Sequence, residues 1–337
     1  MACINIEPEK IVEINIHDKL ISNFSVLDVF VKVACHISRG GKLEVIGKSI
    51  DKIKSVKNLT PFINESKNQI IGNVIYIDKS NDLWVGTEEG LNLYNRNLDQ
   101  FTHIPLNELN SKIQIKAINE TDDNSLLIGT HSFGVFKVNK ESLLSTAVVL
   151  EKNINTNRFQ VNSIETTKRG AILIGSNIGL YGYNPLSNSI KQAEFTTLGG
   201  RKVIKNPIQT IFTKKDGSIW LGTVSDGLIE ILNTPTNYYE FKYHTITNKR
   251  ILTLDSNDEG SLFCGTENDG LFILNKEGEI NSLKYERSKT KGIKSNSIWS
   301  TFIDDKNRIW LGYFNQGIDI YDKEKERFKS IESIPNK

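Results

Sequence analysis

Cysteine is nearly absent from this sequence. Cys3, Cys35 and Cys264 are an odd number at unrelated spacings, with no Cys-x-x-Cys pair. Neither a disulfide framework nor a cysteine-ligated zinc site is indicated. Histidine is sparse as well: His17, His36, His103, His131 and His244 form no His-Glu-x-x-His motif and show no ligand-like spacing. Long hydrophobic runs are missing. The most apolar window, Val26 to Ile37, is broken by Asp28 and Lys32, whereas a spanning helix takes about 20 apolar residues in a row. The first residues show no basic stretch followed by an apolar one, so no signal peptide is visible. Charge of one sign is missing too. Lys and Arg number 42 against 40 Asp and Glu, a formal net charge of +2, which argues against a nucleic-acid binder driven by phosphate neutralisation. The stretches Lys42 to Lys57 and Lys284 to Lys294 mix acids among their bases and read as solvated loops.

The motifs of enzyme chemistry are also lacking. There is no Gly-x-Ser-x-Gly elbow, no phosphate-binding loop and no dinucleotide fingerprint. Asp122-Asp123-Asn124 and Asp304-Asp305-Lys306-Asn307 are too short and irregular for a calcium loop and read as hairpin turns. No cofactor, metal ligand or catalytic residue is therefore assigned. Helical patterning is confined to Asn107–Lys112 and Glu141–Ala147, each long enough for a single turn.

What is present is a repeat. Leu83-Trp84-Val85-Gly86-Thr87 is followed by Gly90-Leu91, and the same block returns at 126–130, 172–176, 219–223, 262–266 and 309–313, each time with a second glycine shortly after. The first glycines, 86, 129, 175, 222, 265 and 312, lie 43, 46, 47, 43 and 47 residues apart. A divergent seventh copy fits at Leu43-Glu44-Val45-Ile46-Gly47, 39 residues before Gly86. An apolar-rich segment precedes each block and a short apolar segment follows it, with turn clusters such as Lys215-Asp216-Gly217-Ser218 between them. Four short antiparallel strands repeated in this way make a propeller or an open array, and radial closure is favoured because it leaves few exposed edges. The expected fold is all-β, a seven-bladed β-propeller of four-stranded blades over residues 21–337. Residues 1–20, which alternate from Ile4 onward, are expected to form a strand pair, as a ring closure or the end of a preceding propeller.

The large residue at the Trp84, Leu127, Leu173, Trp220, Phe263 and Trp310 position is expected to fill the wedge between blades. Trp84, Trp220 and Trp310 should occupy equivalent, largely buried positions. The first glycine of each block suits a close backbone approach, and the second a turn with positive φ.

Asn296-Ser-Ile-Trp-Ser-Thr-Phe-Ile-Asp304 with Asp305-Lys-Asn-Arg-Ile-Trp-Leu-Gly312, then Gly317-Ile-Asp-Ile-Tyr-Asp322 and Phe328, closely resembles the two-component regulator propeller repeat; Asn206 to Thr223 repeats it. The resemblance covers residues 70–331 well and 20–60 poorly. It implies the periplasmic sensor region of hybrid two-component systems, a non-enzymatic domain that detects glycan-derived oligosaccharides. In that family tandem propellers precede an immunoglobulin-like module, a membrane helix and a kinase. This chain has one propeller's worth of repeats, so a homodimer partner or a second propeller and kinase region are implied partners, with no nucleic acid and no membrane segment in the chain itself.

Propeller ligands gather where the tips between second and third strands meet the inter-blade loops. On those tips Phe133, Tyr313, Phe314, Asn315 and Gln316 offer aromatic faces and amides for a sugar, Asp226 and Glu267 offer acceptors, and His131 is the single tip histidine. Two rival readings stand beside the sensor: a protein-interaction scaffold, and a propeller hydrolase or lyase using paired carboxylates such as Glu88, Asp226 and Glu267.

Overall fold

In each repeat the buried second strand is apolar on both faces, because a propeller blade packs against a neighbour on either side. The computed structural model describes residues 74–98, 100–106, 112–151, 154, 158–234, 238–286, 292–313, 316–322 and 327–331, together with short strands Val12–Ile14, Gly47–Ser49, Phe62–Asn64 and Gln69–Ile71. The chain divides into two compact units, Met1–Asn58 and Leu59–Lys337.

In the second unit six blades of four antiparallel strands follow one another, the third gaining a fifth strand, Val149–Leu150, parallel to its outer strand. Their inner strands are Val74–Ile77, Ile115–Glu120, Val161–Thr166, Ile208–Thr213, Ile251–Ser256 and Ile298–Ile303, and the inner strand of each blade neighbours that of the next. The second strands carry the glycine blocks. Ser125–Thr130, Ile172–Ser176, Ile219–Thr223 and Leu262–Thr266 are buried from end to end. Outer strands such as Tyr239–His244 alternate between half-buried and exposed. Between blades 3 and 4 the chain adds a hairpin, Glu194–Thr197 with Gly200–Val203. Residues 141–147, read as a helical turn, form a turn and the outer strand Ser145–Ala147 of blade 2 instead. Edge pairing with Val135–Asn139 won over local helical propensity there.

The core consists of apolar layers between successive blades. Trp84 and Leu91 of blade 1 pack with Ile115, Leu126 and Phe136 of blade 2, and Trp220 and Leu228 of blade 4 pack with Ile251 and Leu262 of blade 5. The block glycines allow this contact. A Cβ on Gly222 would lie 2.6 Å from Thr210 Cγ2 and 2.7 Å from Ile251 Cγ2 of the next blade. Gly129, Gly175 and Gly265 are roofed in the same manner by Val161, Ile208 and Ile298.

The blade count corrects the sequence reading: six blades are present among the described residues, not seven. Of the candidate seventh block, Leu43–Ile46 lie outside the described residues, and Gly47–Ser49 pairs with Val12–Ile14 in the first unit. The block itself differs there. In five blades the residue after the glycine is Thr or Ser, whose hydroxyl holds the tip, whereas Gly47 is followed by Lys48. Of residues 1–20, only the strand Val12–Ile14 is described.

Trp84 and Trp220 are buried as expected, but Trp310 is half-buried. It shares a face with Gly312, and the three atoms nearest to a Cβ there all belong to Ser300 of the same blade. Among the described residues, no inner strand of another blade roofs the face of blade 6 that corresponds to the roofed faces of blades 2–5.

Candidate axial site

Two backbone devices, repeated blade by blade, build a ring of side chains at one end of the propeller. The first is the tip. Thr223 Oγ1 donates to the Gly227 carbonyl at 2.8 Å and accepts from Asp226 N at 2.7 Å. Thr87, Thr130, Ser176 and Thr266 do the same in their blades. Gly227 turns at φ 73°, where a Cβ would strike the His244 carbonyl oxygen at 2.3 Å. The tip then leans on the entrance of the inner strand. The amides of His131, Asn177, Val224 and Glu267 donate to the carbonyls of Gln114, Gln160, Pro207 and Arg250 at 2.9–3.1 Å.

The second device is a β-bulge just inside that entrance. In blades 2–6 the register skips one inner-strand residue: Lys116, Asn162, Gln209, Leu252 and Trp299. A bulge leaves its extra residue unpaired and re-aims it. Because these strands are the innermost of their blades and each neighbours the next, the five residues follow one another along the inner edge of the propeller. None of the five is buried, and Trp299 is 50% exposed. Asn162 Nδ2 donates to the Ile208 carbonyl of the next blade at 2.8 Å, bracing the ring.

Charge meets across this ring. Burial pushes the Lys116 ammonium below its usual value, Glu88 from the blade 1 tip opposes that, and the Arg250 guanidinium adds to it. Lys116 belongs to blade 2 and Arg250 to the entrance of blade 5, so this interaction joins blades that are not consecutive in the chain. Arg250 Nη1 lies 3.5 Å from Glu267 Oε2, both side chains being 41% exposed. Its Nε is buried with no hydrogen-bond partner.

The sequence-selected residues are divided by this geometry. His131 and Glu267 are first tip residues and stand at the ring entrance. Phe133 and Asp226 occupy the third tip position, where their amides are held by the Thr hydroxyl. Asp226 also accepts from Asn206 Nδ2 at 3.0 Å. Tyr313 is buried, taking the place of the Thr in its block. Its hydroxyl donates to the buried Asp319 at 2.9 Å, and burial with that carboxylate pushes its ionisation far up. Gln316 is exposed at the blade 6 tip, while Phe314 and Asn315 lie outside the described residues. Glu88, Asp226 and Glu267 belong to three separate tips, in blades 1, 4 and 5. Among the described residues no three His, Cys, Asp or Glu side chains gather as a metal site, and no helix is long and apolar enough to cross a membrane.

Sequence reasoning passed over the bulge residues Lys116, Asn162, Gln209 and Trp299, and also Arg250. A signal was available. Within these inner strands apolar residues fall three apart, as at Val161 and Ile164, Ile208 and Ile211, or Ile251 and Leu254. A strand of period two cannot bury both members of such a pair without an inserted residue.

No family model matches the sequence, and no curated protein matches it. Solved structures do. The extracellular domain of BT4673 from B. thetaiotaomicron, described both as a one component and as a hybrid two component system, is 21% identical with a TM-score of 0.61 over 77% of this chain. What the two share is the β-propeller fold. The repeat resemblance and the likeness of fold thus agree. This chain spans 33% of the BT4673 chain that it matches. Virginiamycin B lyase from Staphylococcus aureus has a TM-score of 0.58 at 10% identity, covering 78% of this propeller's chain and 84% of its own. PorZ, a surface component of the type-IX secretion system of Porphyromonas gingivalis, has a TM-score of 0.55 at 15% identity, covering 77% and 45%. At these identities the likeness is one of fold.

Proposed function

We propose that this chain is the non-enzymatic, ligand-binding part of a sensor, acting outside the cytoplasm, and that it takes a glycan-derived oligosaccharide at the axial ring. The observation carrying this reading is the bulge ring: five successive blades each present one partly exposed side chain along the inner edge of the propeller, and the set comprises two amides, an ammonium, a leucine and a tryptophan. Sugars ask for that mixture, an aromatic face for the apolar side of the ring and amides and charges for the hydroxyls. His131 and Glu267 at the entrance extend the polar lining. Signal output belongs to other modules of a longer sensor or to a partner propeller, and a ligand shifts their arrangement only by binding one state more tightly.

A thermal-shift screen of the purified chain against plant and host oligosaccharides tests this, since a ligand of the native state raises apparent stability by mass action. A saturable shift with one glycan class, without product formation and lost in Gln209→Ala and Trp299→Ala, is expected. Product release during the screen would instead identify an enzyme.

The scaffold reading has one feature in its favour. The hairpin between blades 3 and 4 carries Leu198 84% exposed, lining one groove with Tyr238 and Tyr239, while Lys202 lies over the rings of Phe241 and Tyr243. Loss of in vivo signalling in Leu198→Asp with unchanged glycan shifts would place a partner there.

A further inference from the structure

We propose that the ligand of the axial ring bears an anionic group on a sugar, a carboxylate or a sulfate, and that Lys116 and Arg250 seat it from opposite sides of the axis. This rests on the oligosaccharide site argued above and names its substrate class. Lys116 is partly buried at a bulge, and among the described residues it makes no ion pair. The other partly enclosed lysines of blade 2 are by contrast held by carboxylates, Lys137 by Asp123 and Lys140 by Asp78 and Glu120. Glu88 acts on this ammonium without closing to an ion pair; a desolvated ammonium so weakly countered is costly, and the position is suited to a ligand that supplies the charge.

Arg250 has the complementary deficit. Its Nε is a buried donor with no acceptor, and its Glu267 contact is long and open to water. A planar guanidinium matches a carboxylate or sulfate through two donors at once, so an incoming anion could engage the group that Glu267 only grazes. The two cations repel each other, and an anion between them turns that repulsion into attraction on both sides. Glu88 and Glu267, the carboxylates at the entrance, stand on tips outside the bulge layer. They would resist an anion held at the rim and admit one seated deeper, beside Lys116. Trp299 in the same layer offers the ring face for the sugar that carries the charge.

The test uses the whole chain and a panel of uronate-bearing and sulfated oligosaccharides, each beside its carboxyl-reduced or desulfated form, with affinity read by calorimetry. An acidic member should bind about tenfold or more tightly than its neutral form, as charge-assisted hydrogen bonds allow. Its affinity should fall with added salt. Lys116→Gln and Arg250→Gln should each lose about tenfold for the acidic ligand only, with Arg250→Lys between them and the parent, and with melting temperatures unchanged. Comparison of the uronate and sulfate arms identifies the group. Equal binding of acidic and neutral forms, or an acidic ligand indifferent to both substitutions, would overturn the anion seat while leaving an oligosaccharide site intact. No binding across either form would overturn both.

Discussion

Adding one methyl group to Gly222 should separate the blades that it joins. A Cβ at this position would lie 2.6 Å from Thr210 Cγ2, 2.7 Å from Ile251 Cγ2 and 3.0 Å from Ile251 Cβ, where carbon contacts favour about 3.5–4.0 Å. Blades 4 and 5 must therefore part by roughly 1 Å locally, measured against that contact distance. Rotation offers little relief. Ile251 is fully buried, its branched Cβ restricts χ1, and that Cβ is itself one of the obstructing atoms. Overpacking of this kind costs about 1–3 kcal/mol, against a gain of about 0.4–1 kcal/mol from stiffening the unfolded chain. The net expectation for Gly222→Ala is a loss of about 1–2 kcal/mol, or a fall of several °C at roughly 2 °C per kcal/mol for a large domain. Gly182→Ala is the matched control: no atom lies within 4 Å of its Cβ position and no left-handed φ is required, so it should melt at or slightly above the parent. Calorimetric or circular-dichroism melts of the two variants measure the contrast. A double variant with Ile251→Ala should lose less than the sum of its parts, because the space removed is the space needed. If Gly222→Ala melts with Gly182→Ala, the close wedge between blades is refuted.

Lys140→Met should cost about 3–5 kcal/mol by urea denaturation, since it strands Asp78 and Glu120, which lie 3.2 and 2.6 Å from the ammonium in a nearly dry cluster. A loss under about 1 kcal/mol would mean that water reaches the cluster. Stability should also fall in acid. Burial alone would raise Asp78, Asp216 and Asp304, but turn amides together with Trp84, Ser218, Arg308 and Trp310 hold these carboxylates below their usual values. A depressed carboxylate stabilises fully above its unfolded value of about 4 and loses that contribution as pH drops through the folded value, so melts should decline below about pH 4 and less steeply in Asp304→Asn. A decline confined to alkaline pH would contradict this. Burial pushes the Cys264 thiol far up. In a Cys3→Ser, Cys35→Ser background it should react with a thiol reagent only on unfolding, and rapid native labelling would show that the blade 4–blade 5 layer opens.

Most of the blade could be read directly from the chain. The spacing of glycines 86 to 312 located every second strand, and the Thr or Ser after five of the six glycines marked the tip. What escaped was whatever depended on the neighbouring blade. Trp310 has the same local sequence as Trp220 yet is half-buried, because burial there is conferred by the next blade's inner strand rather than by the repeat itself. Tyr313 looked like a tip aromatic, but its hydroxyl could reach Asp319 and the side chain folded inward. His131 and Glu267 were placed at the entrance because the tip is a local turn with a local rule. Lys116 and Trp299 were not, since alternation assigns their faces wrongly once a bulge intervenes.

The sequence by itself determined the repeat, the strand composition of a blade, the two glycine roles and the tip chemistry, all of which are short-range consequences of backbone sterics and hydrogen bonding. Only the tertiary structure decided how many blades form and which side chains meet at the axis. A bulge displaces a residue by one register step, and Lys116 and Arg250 interact although 134 residues separate them in the chain. Their proximity comes from the curvature accumulated over three blades, which no single repeat encodes.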